Sequence, residues 1–479
     1  MRILMLGWEF PPFIAGGLGT ACHGLTKALA RQGHEILFVL PRSIDRSEAS
    51  HVQLLTPDVL RSESEQVLDP PVAGSASHHS GASASGGASP RIDATGRIER
   101  IEIPAGFSSP YPAFEGVGSS TLAQLIREAQ ALRRGQSIRV GGIELPTDAA
   151  TADLLRRAWE HSSQMGAGEG HYGQDLIGDA HRYAVLCVAL ASRRQFDIIH
   201  AHDWLTYPAG LAVRAMSGRP LVVHVHATEF DRSGDHVNQQ IYEIERTGMH
   251  GADRVIAVSQ LTKNIIVRRY GVDPGKVDVV YNGVDQEEGQ PKSGARIERD
   301  DKIVLFLGRI TMQKGPEYFI RAAKKVLTKV PNAKFVVAGS GDMAMRMIHE
   351  AAELGIGQKV LFTGFLRGRD VKRIFDLASC YVMPSVSEPF GIAALEAMHH
   401  DTPVIISKQS GVSEVLTHAL KVDFWDVDEM ANKIVAVLKY PPLSQTLRAH
   451  GSMELRGLNW DGAADKCVRA YGRAIASQH

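Results

Sequence analysis

Apolar positions in this chain come in runs of about five residues, and what lies between the runs alternates in a regular way. The first run, RILMLG from Arg2, is followed by WEFPPFIAGGLG. A segment from about Leu18 to Arg31 then has apolar residues at helical spacing, and EILFVL follows. This order predicts a strand, a loop, an amphipathic helix and a parallel strand. Later runs repeat the theme: FDIIHAHDW, PLVVHVHATEF and RVIAVS, with a helical segment from Gln260 to Arg269. Runs that do not alternate with polar residues imply strands buried on both faces, hence a mostly parallel sheet between helical layers.

Two stretches break this rhythm. Ala73 to Pro90, AGSASHHSGASASGGASP, has too little apolar content to offset the cost of ordering and is expected to be a disordered surface loop. Residues 106–174 read as an insertion in which Thr121 to Arg133 forms an amphipathic helix. A polar segment, Gln286 to Asp300, then reads as a linker. After it the pattern restarts with KIVLFLGR, AKFVVAGSG, VLFTGF, CYVMPS and PVIISK, each followed by a helical or polar segment. Helices are expected over Asp426–Leu438, Leu443–Glu454 and Asp461–Ala476. The predicted fold class is therefore α/β, with two doubly wound, Rossmann-like domains facing across a cleft. The first spans 1–285, a linker 286–300, the second 301–460, and a C-terminal helix 461–479. Ligands of such sheets sit beyond the C-terminal strand ends.

Composition narrows the classes. In 479 residues, Lys+Arg and Asp+Glu both number 53, so no global field draws the chain to nucleic acid, and bound anions must be held locally. The four cysteines are too scattered for a zinc knuckle or a disulfide framework, which fits a cytoplasmic protein. No signal peptide and no transmembrane segment are expected, because no apolar stretch reaches about 18 residues.

Candidate chemistry falls at the strand ends. The GGLG of Gly16–Gly19 lies between strand and helix, where free N–H groups favour anions, although it is not the G-x-G-x-x-G fingerprint. Arg309 ends a strand and Lys314 precedes a helix that Pro316 helps to start, so both cations can converge on one diphosphate. In SEPFGIAALEAM, Glu388 is expected at a helix start and Glu396 two turns inside, about 12 Å apart along the axis. That spacing suits an extended sugar diphosphate nucleoside, with the N–H groups of Phe390, Gly391 and Ile392 pointing at its charged centre.

The pairs His200/His202 and His224/His226 follow an H-x-H pattern that puts both side chains on one strand face. A metal site and hydrogen bonding to a polyhydroxylated ligand are both open to them, the second being preferred because no further ligands follow at later strand ends. Asp426 and Asp428 form a D-x-D pair, read as helix capping.

With these motifs in view, the chain resembles the retaining glycosyltransferases of GT-B fold, specifically family 4 and the bacterial glycogen and starch synthases. The carriers are the E-x7-E element Glu388–Glu396, the GR-x4-K element Arg309–Lys314, and GGLG. The resemblance implies a hexose, glucose being favoured, taken from a UDP- or ADP-sugar and passed to a glucan or other polysaccharide. It implies no cofactor and no required metal. Gly16 and Gly17 would border the donor diphosphate and His226 the transferred sugar. Arg309 and Lys314 would neutralise the leaving group, Glu388 would hold sugar hydroxyls and Glu396 the ribose. His202 and Asp203 are expected to contact acceptor or sugar. Departures from glycogen synthases occur at Ile14, Thr20 and Leu205, where those enzymes tend to carry Lys, Asp and His. A family 4 enzyme acting on a lipid-linked or small-molecule acceptor is the alternative, and a non-catalytic sugar- or nucleotide-binding protein is the alternative of another class.

Overall fold

The computed structural model describes residues 1–11, 16–42, 49–59, 119–136, 175–284 and 301–478, with short pieces between 138 and 158. The 73–90 loop, the 286–300 linker and most of the 106–174 insertion lie outside the described residues. Within the insertion, Ser119–Arg133 is helical, as expected, and Ile138–Val140 pairs with Ile143–Leu145 in an antiparallel hairpin.

The first sheet has seven parallel strands: β1 (Arg2–Leu6), β2 (Glu35–Val39), β3 (Gln53–Leu55), β4 (Ile198–His202), β5 (Leu221–Val225), β6 (Arg254–Ala257) and β7 (Val277–Val279). Their order is β3-β2-β1-β4-β5-β6-β7. The second has six: β8 (Lys302–Leu307), β9 (Ala333–Ala338), β10 (Val360–Gly364), β11 (Cys380–Met383), β12 (Val404–Ser407) and β13 (Leu420–Val422). Its order, β10-β9-β8-β11-β12-β13, is the same one restarted. In both sheets the direction of winding reverses beside the first strand, between β1 and β4 and between β8 and β11. Such a switch point opens a crevice at the C-terminal strand ends.

The non-alternating apolar runs are explained by the two cores of each sheet. In β1, Ile3 and Met5 join one buried cluster while Leu4 and Leu6 join another. In β8, Val304 and Phe306 face one cluster and Leu305 the opposite one. With a side-chain period of two and helices on both sides, each residue has apolar neighbours whichever way it points.

Five helices position the functional elements: α1 (Gly17–Arg31), α2 (Gln260–Tyr270), α3 (Pro316–Leu327), α4 (Ile392–His399) and α5 (Trp460–Ala476). The C-terminal α5 returns to the first domain. Trp460, Cys467 and Tyr471 are buried in the cluster that also holds Ile3, Cys22 and Ile198, and Arg31 pairs with Asp461 at 2.8 Å. The end of the first domain lies beside the segment that leads into α5, Val284 N–H donating to the Leu458 carbonyl at 3.0 Å.

Candidate active site

The second domain supplies the charged half of the site. After β8 the chain passes Gly308 and Arg309, makes a 3-10 turn over Met312–Lys314, and enters α3 through Gly315 and Pro316. Gly315 has φ +61°, and a Cβ there would lie 2.3 Å from the Pro384 carbonyl oxygen, so only glycine lets this loop approach the segment after β11. The Gln313 side-chain amide donates to the Ser387 carbonyl at 3.1 Å, and Val386 N–H donates to the Gln313 carbonyl at 2.9 Å. The closeness of the loops brings Lys314 Nζ to 2.6 Å from Glu388 Oε2, which also accepts from Ser385 Oγ at 3.0 Å. Arg309 donates to the Gln313 side-chain oxygen at 3.3 Å.

One expectation is corrected here. Glu388 does not begin a helix: its N–H bonds to the Gln409 carbonyl at 3.0 Å and it bridges to Ser410. Helix α4 starts at Ile392, because Gly391 at φ +109° acts as its N-cap and separates it from the Pro389 bend. The two glutamates are therefore not spaced along one helical axis. Phe390 is buried, stacked at a tilt near Tyr281, and its carbonyl accepts from Val412 N–H at 2.7 Å. Of the three expected N–H donors, Gly391 is the cap and Ile392 alone lies in the first helical turn, where no preceding carbonyl is available. Glu396 sits five residues into the helix, with no side-chain partner among the described residues, and burial raises its carboxyl pKa. Both glutamates lie close enough to the buried Tyr381 to raise its phenol pKa, after the larger effect of burial itself.

The first domain supplies a mostly uncharged half. Gly16 caps α1 and Gly17 opens it, and a Cβ on Gly17 would meet nothing within 4 Å. The Glu9 carboxylate approaches the same helix start, accepting from Gly19 N–H at 3.3 Å. One of the N–H groups expected to await an external anion is thus already held by a buried side chain of this chain. Ile14 lies outside the described residues.

His226 follows β5 and is half-buried, and burial pushes its pKa down to about 3, so the imidazole is neutral. Its Nε2 is 3.0 Å from His202 Nδ1, and its N–H donates to Asp203 Oδ1 at 2.7 Å, as does that of Ala227 at 3.3 Å. His202, fully buried, and Asp203 therefore stand behind His226 and bond to it. Asp203 adopts φ +59° with ψ 170°, a strained backbone conformation that residues other than glycine rarely occupy, and burial raises its carboxyl pKa to about 7.

The halves meet. Ser387 Oγ donates to Asp231 Oδ1 across the domains at 2.6 Å, while Asp231 Oδ2 accepts from Thr228 N–H at 2.7 Å in a capping box just after His226. Glu414 of the second domain accepts from Gln260 and Leu261 N–H at 2.9 and 2.7 Å, capping α2 of the first. Gln313, Ser385, Asp231, Glu414 and Glu9 were absent from the sequence-based set, since single polar residues without motif spacing give no signal.

Three family models match parts of the chain: a starch synthase catalytic domain over 2–68, glycosyltransferase family 4 over 168–288, and glycosyl transferases group 1 over 289–452. An uncharacterized glycosyltransferase of Methanocaldococcus jannaschii is 37% identical over 493 aligned positions, covering 99% of both chains. A glycogen synthase of Mycobacterium tuberculosis is 24% identical, covering 98% of this chain and 94% of its own. Among solved structures, a sucrose-phosphate synthase from Thermosynechococcus elongatus superposes with a TM-score of 0.64 at 19% identity, covering 99% of each chain. No helix among the described residues is long and apolar enough to cross a membrane.

Proposed function

This chain belongs to the GT-B glycosyltransferases, and from that premise we propose that it moves a hexose, glucose being favoured, from a UDP- or ADP-sugar to a glucan or other polysaccharide with retention at the anomeric carbon. The observation that carries this reading is the convergence of Lys314, Glu388 and Arg309 at one switch point with the His226–Asp231 segment, joined across the cleft by Ser387 and Asp231.

In this reading the diphosphate lies over the turn after β8. Lys314 and Arg309, with the first N–H groups of α4, take up the charge that grows as the anomeric carbon–oxygen bond breaks; preorganised groups of this kind are worth roughly 3–4 kcal/mol each in a water-poor cleft. The acceptor hydroxyl forms its new bond on the same face of the sugar, and its proton passes to the departing phosphate oxygen. Glu388, fixed by Lys314 and Ser385, orients sugar hydroxyls; Glu396 orients the ribose. A neutral His226 offers a hydrogen bond to the sugar without adding a charge. Arg309 and Lys314 do the work a metal ion would do in the transfer step.

A small-molecule acceptor is the second reading. Leu205, standing where glycogen synthases tend to carry His, is buried in the first core and offers no polar contact to a glucan. The test is nucleoside diphosphate release from UDP-, ADP- and GDP-sugars with and without glycogen or maltooligosaccharides. Release that requires one donor and a glucan supports the first reading. Glucan-independent release that appears with a small sugar or polyol phosphate supports the second, and no release from any pair overturns both.

A further inference from the structure

His200 and His202 of β4 and His224 of β5 lie on the face of the first sheet that α1 and α5 cover, since Ile198 and Val222, two positions away in each strand, belong to the same buried cluster. Where the neighbouring strands place Ile, Met and Val, these two place three imidazoles. All three are at most 2% exposed. The rings stack along one strand and between neighbouring strands, with centroids 4.2 Å apart for His200/His202 and 5.3 Å for His200/His224.

The pattern of their hydrogen bonds is specific. His200 Nδ1 is 2.7 Å from the Tyr471 hydroxyl of α5, and His202 Nδ1 is 3.0 Å from His226 Nε2. In both rings the Nε2 has no partner among the described residues, and in His224 neither nitrogen has one. A buried orphaned polar atom costs about 1–3 kcal/mol, so an array of four without purpose would be a heavy burden on a domain of marginal stability. A ring nitrogen fixed by an outer partner while the other points into a shared space is how metal-ligating histidines are held. One nitrogen from each of the three rings can be chosen so that all lie within 4.8 Å of one another. Tetrahedral ligation wants such atoms about 3.3 Å apart, a gap that modest ring rotations close.

We propose that His200, His202 and His224 form a buried site for one divalent transition-metal ion, with Tyr471 and His226 as the outer partners of two ligands. An all-imidazole set, with no carboxylate among the three, selects borderline ions such as Zn2+ over Mg2+ or Ca2+. The ion ties β4 and β5 to α5 and fixes the ring against which His226 rests. It is a structural site, separate from the diphosphate, and stands or falls independently of the donor and acceptor reading.

The experiment is metal analysis of the full chain, produced in medium supplemented with Zn2+ and, separately, with Co2+, after a wash with a chelator that strips surface ions. The expected result is close to one equivalent of zinc per folded chain, and in the cobalt preparation a tetrahedral visible spectrum. Both should be lost in His224→Asn and in His200→Asn, and kept in His51→Asn, a histidine elsewhere in the domain. Should the first two variants fail to fold, the wild-type zinc content and cobalt spectrum decide alone. Folded wild-type protein with metal far below one equivalent and no cobalt spectrum would overturn the site, as would metal that persists in folded His224→Asn.

Discussion

The two sheets share one strand order and one place for a ligand, but they furnish their switch points differently. In the second domain the strand ends carry an exposed Arg309 and an ion pair between the half-buried Lys314 and the buried Glu388. In the first they carry buried histidines and Asp203, with His226 held neutral and its backbone fixed from behind. In the proposed function, one half supplies field and the other supplies shape. That division suits a reaction in which charge develops on one portion of the donor, the diphosphate, while the sugar and acceptor require orientation.

The comparison is broken most directly at Lys314. Lys314→Ala should lower kcat on the order of a thousandfold with the thermal transition nearly unchanged, because a field-supplying group is lost while its neighbours stay packed. Glu388→Gln measured alone and with Lys314→Ala should be strongly non-additive, since the two side chains share one ion pair. Near-normal turnover in both variants would remove the charged half from the mechanism.

The shaping half should respond less, and in a different way. Asp203→Ala frees the His226 and Ala227 N–H groups and should cost roughly tenfold to a hundredfold in kcat by letting the ring drift. Asp203→Asn, whose side-chain oxygen still accepts those N–H groups, should recover most of it. An equal loss in both variants would point to the charge of Asp203 and not to its positioning.

Closure comes next. Glu414→Gln weakens the cap that the second domain places on α2 and should cost about 1 kcal/mol of the closed arrangement. Small-angle scattering should then show a more open average shape and kinetics a raised donor KM. No change in either would mean that Glu414 does not hold the domains together.

The smallest effect concerns acid. His51, half-buried and bonded to Thr26, has its pKa pushed down to about 4, first by burial and then by His23, Lys27 and Arg31. Unfolded, it takes a proton near pH 6.5, so stability is full above that value and falls as pH drops toward 4. After discounting for its exposure, His51→Asn should flatten the pH dependence of the unfolding free energy from urea titrations over this window by an amount on the order of 1 kcal/mol.

Much of this was legible in the chain. Five-residue apolar runs without alternation implied strands covered on both faces, and the restart after residue 300 implied the second domain. Arg309, Lys314 and Glu396 could be picked out because a motif fixes their spacing. The pairing of Lys314 with Glu388 could not, because it depends on Gly315 letting two loops that are 74 residues apart in sequence come together. Nor could the helix boundary at Gly391, since Pro389 looks like a helix start until the chain's left-handed turn two residues later is seen.

What the sequence determined by itself is the local layer: period, strand length, glycine and proline punctuation, and the motif cations. These follow from each residue's own preferences and those of its near neighbours. What the tertiary structure decided is every partnership made over distance. It decided that Glu9 occupies the N-terminus of α1, that α5 returns to seat Tyr471 against His200, and that Asp231 reaches Ser387. It decided also that three histidines from two strands meet in a core. Such meetings are set by how strands order in a sheet and how helices cover it, and a polar side chain carries no mark in the sequence of which distant partner will satisfy it.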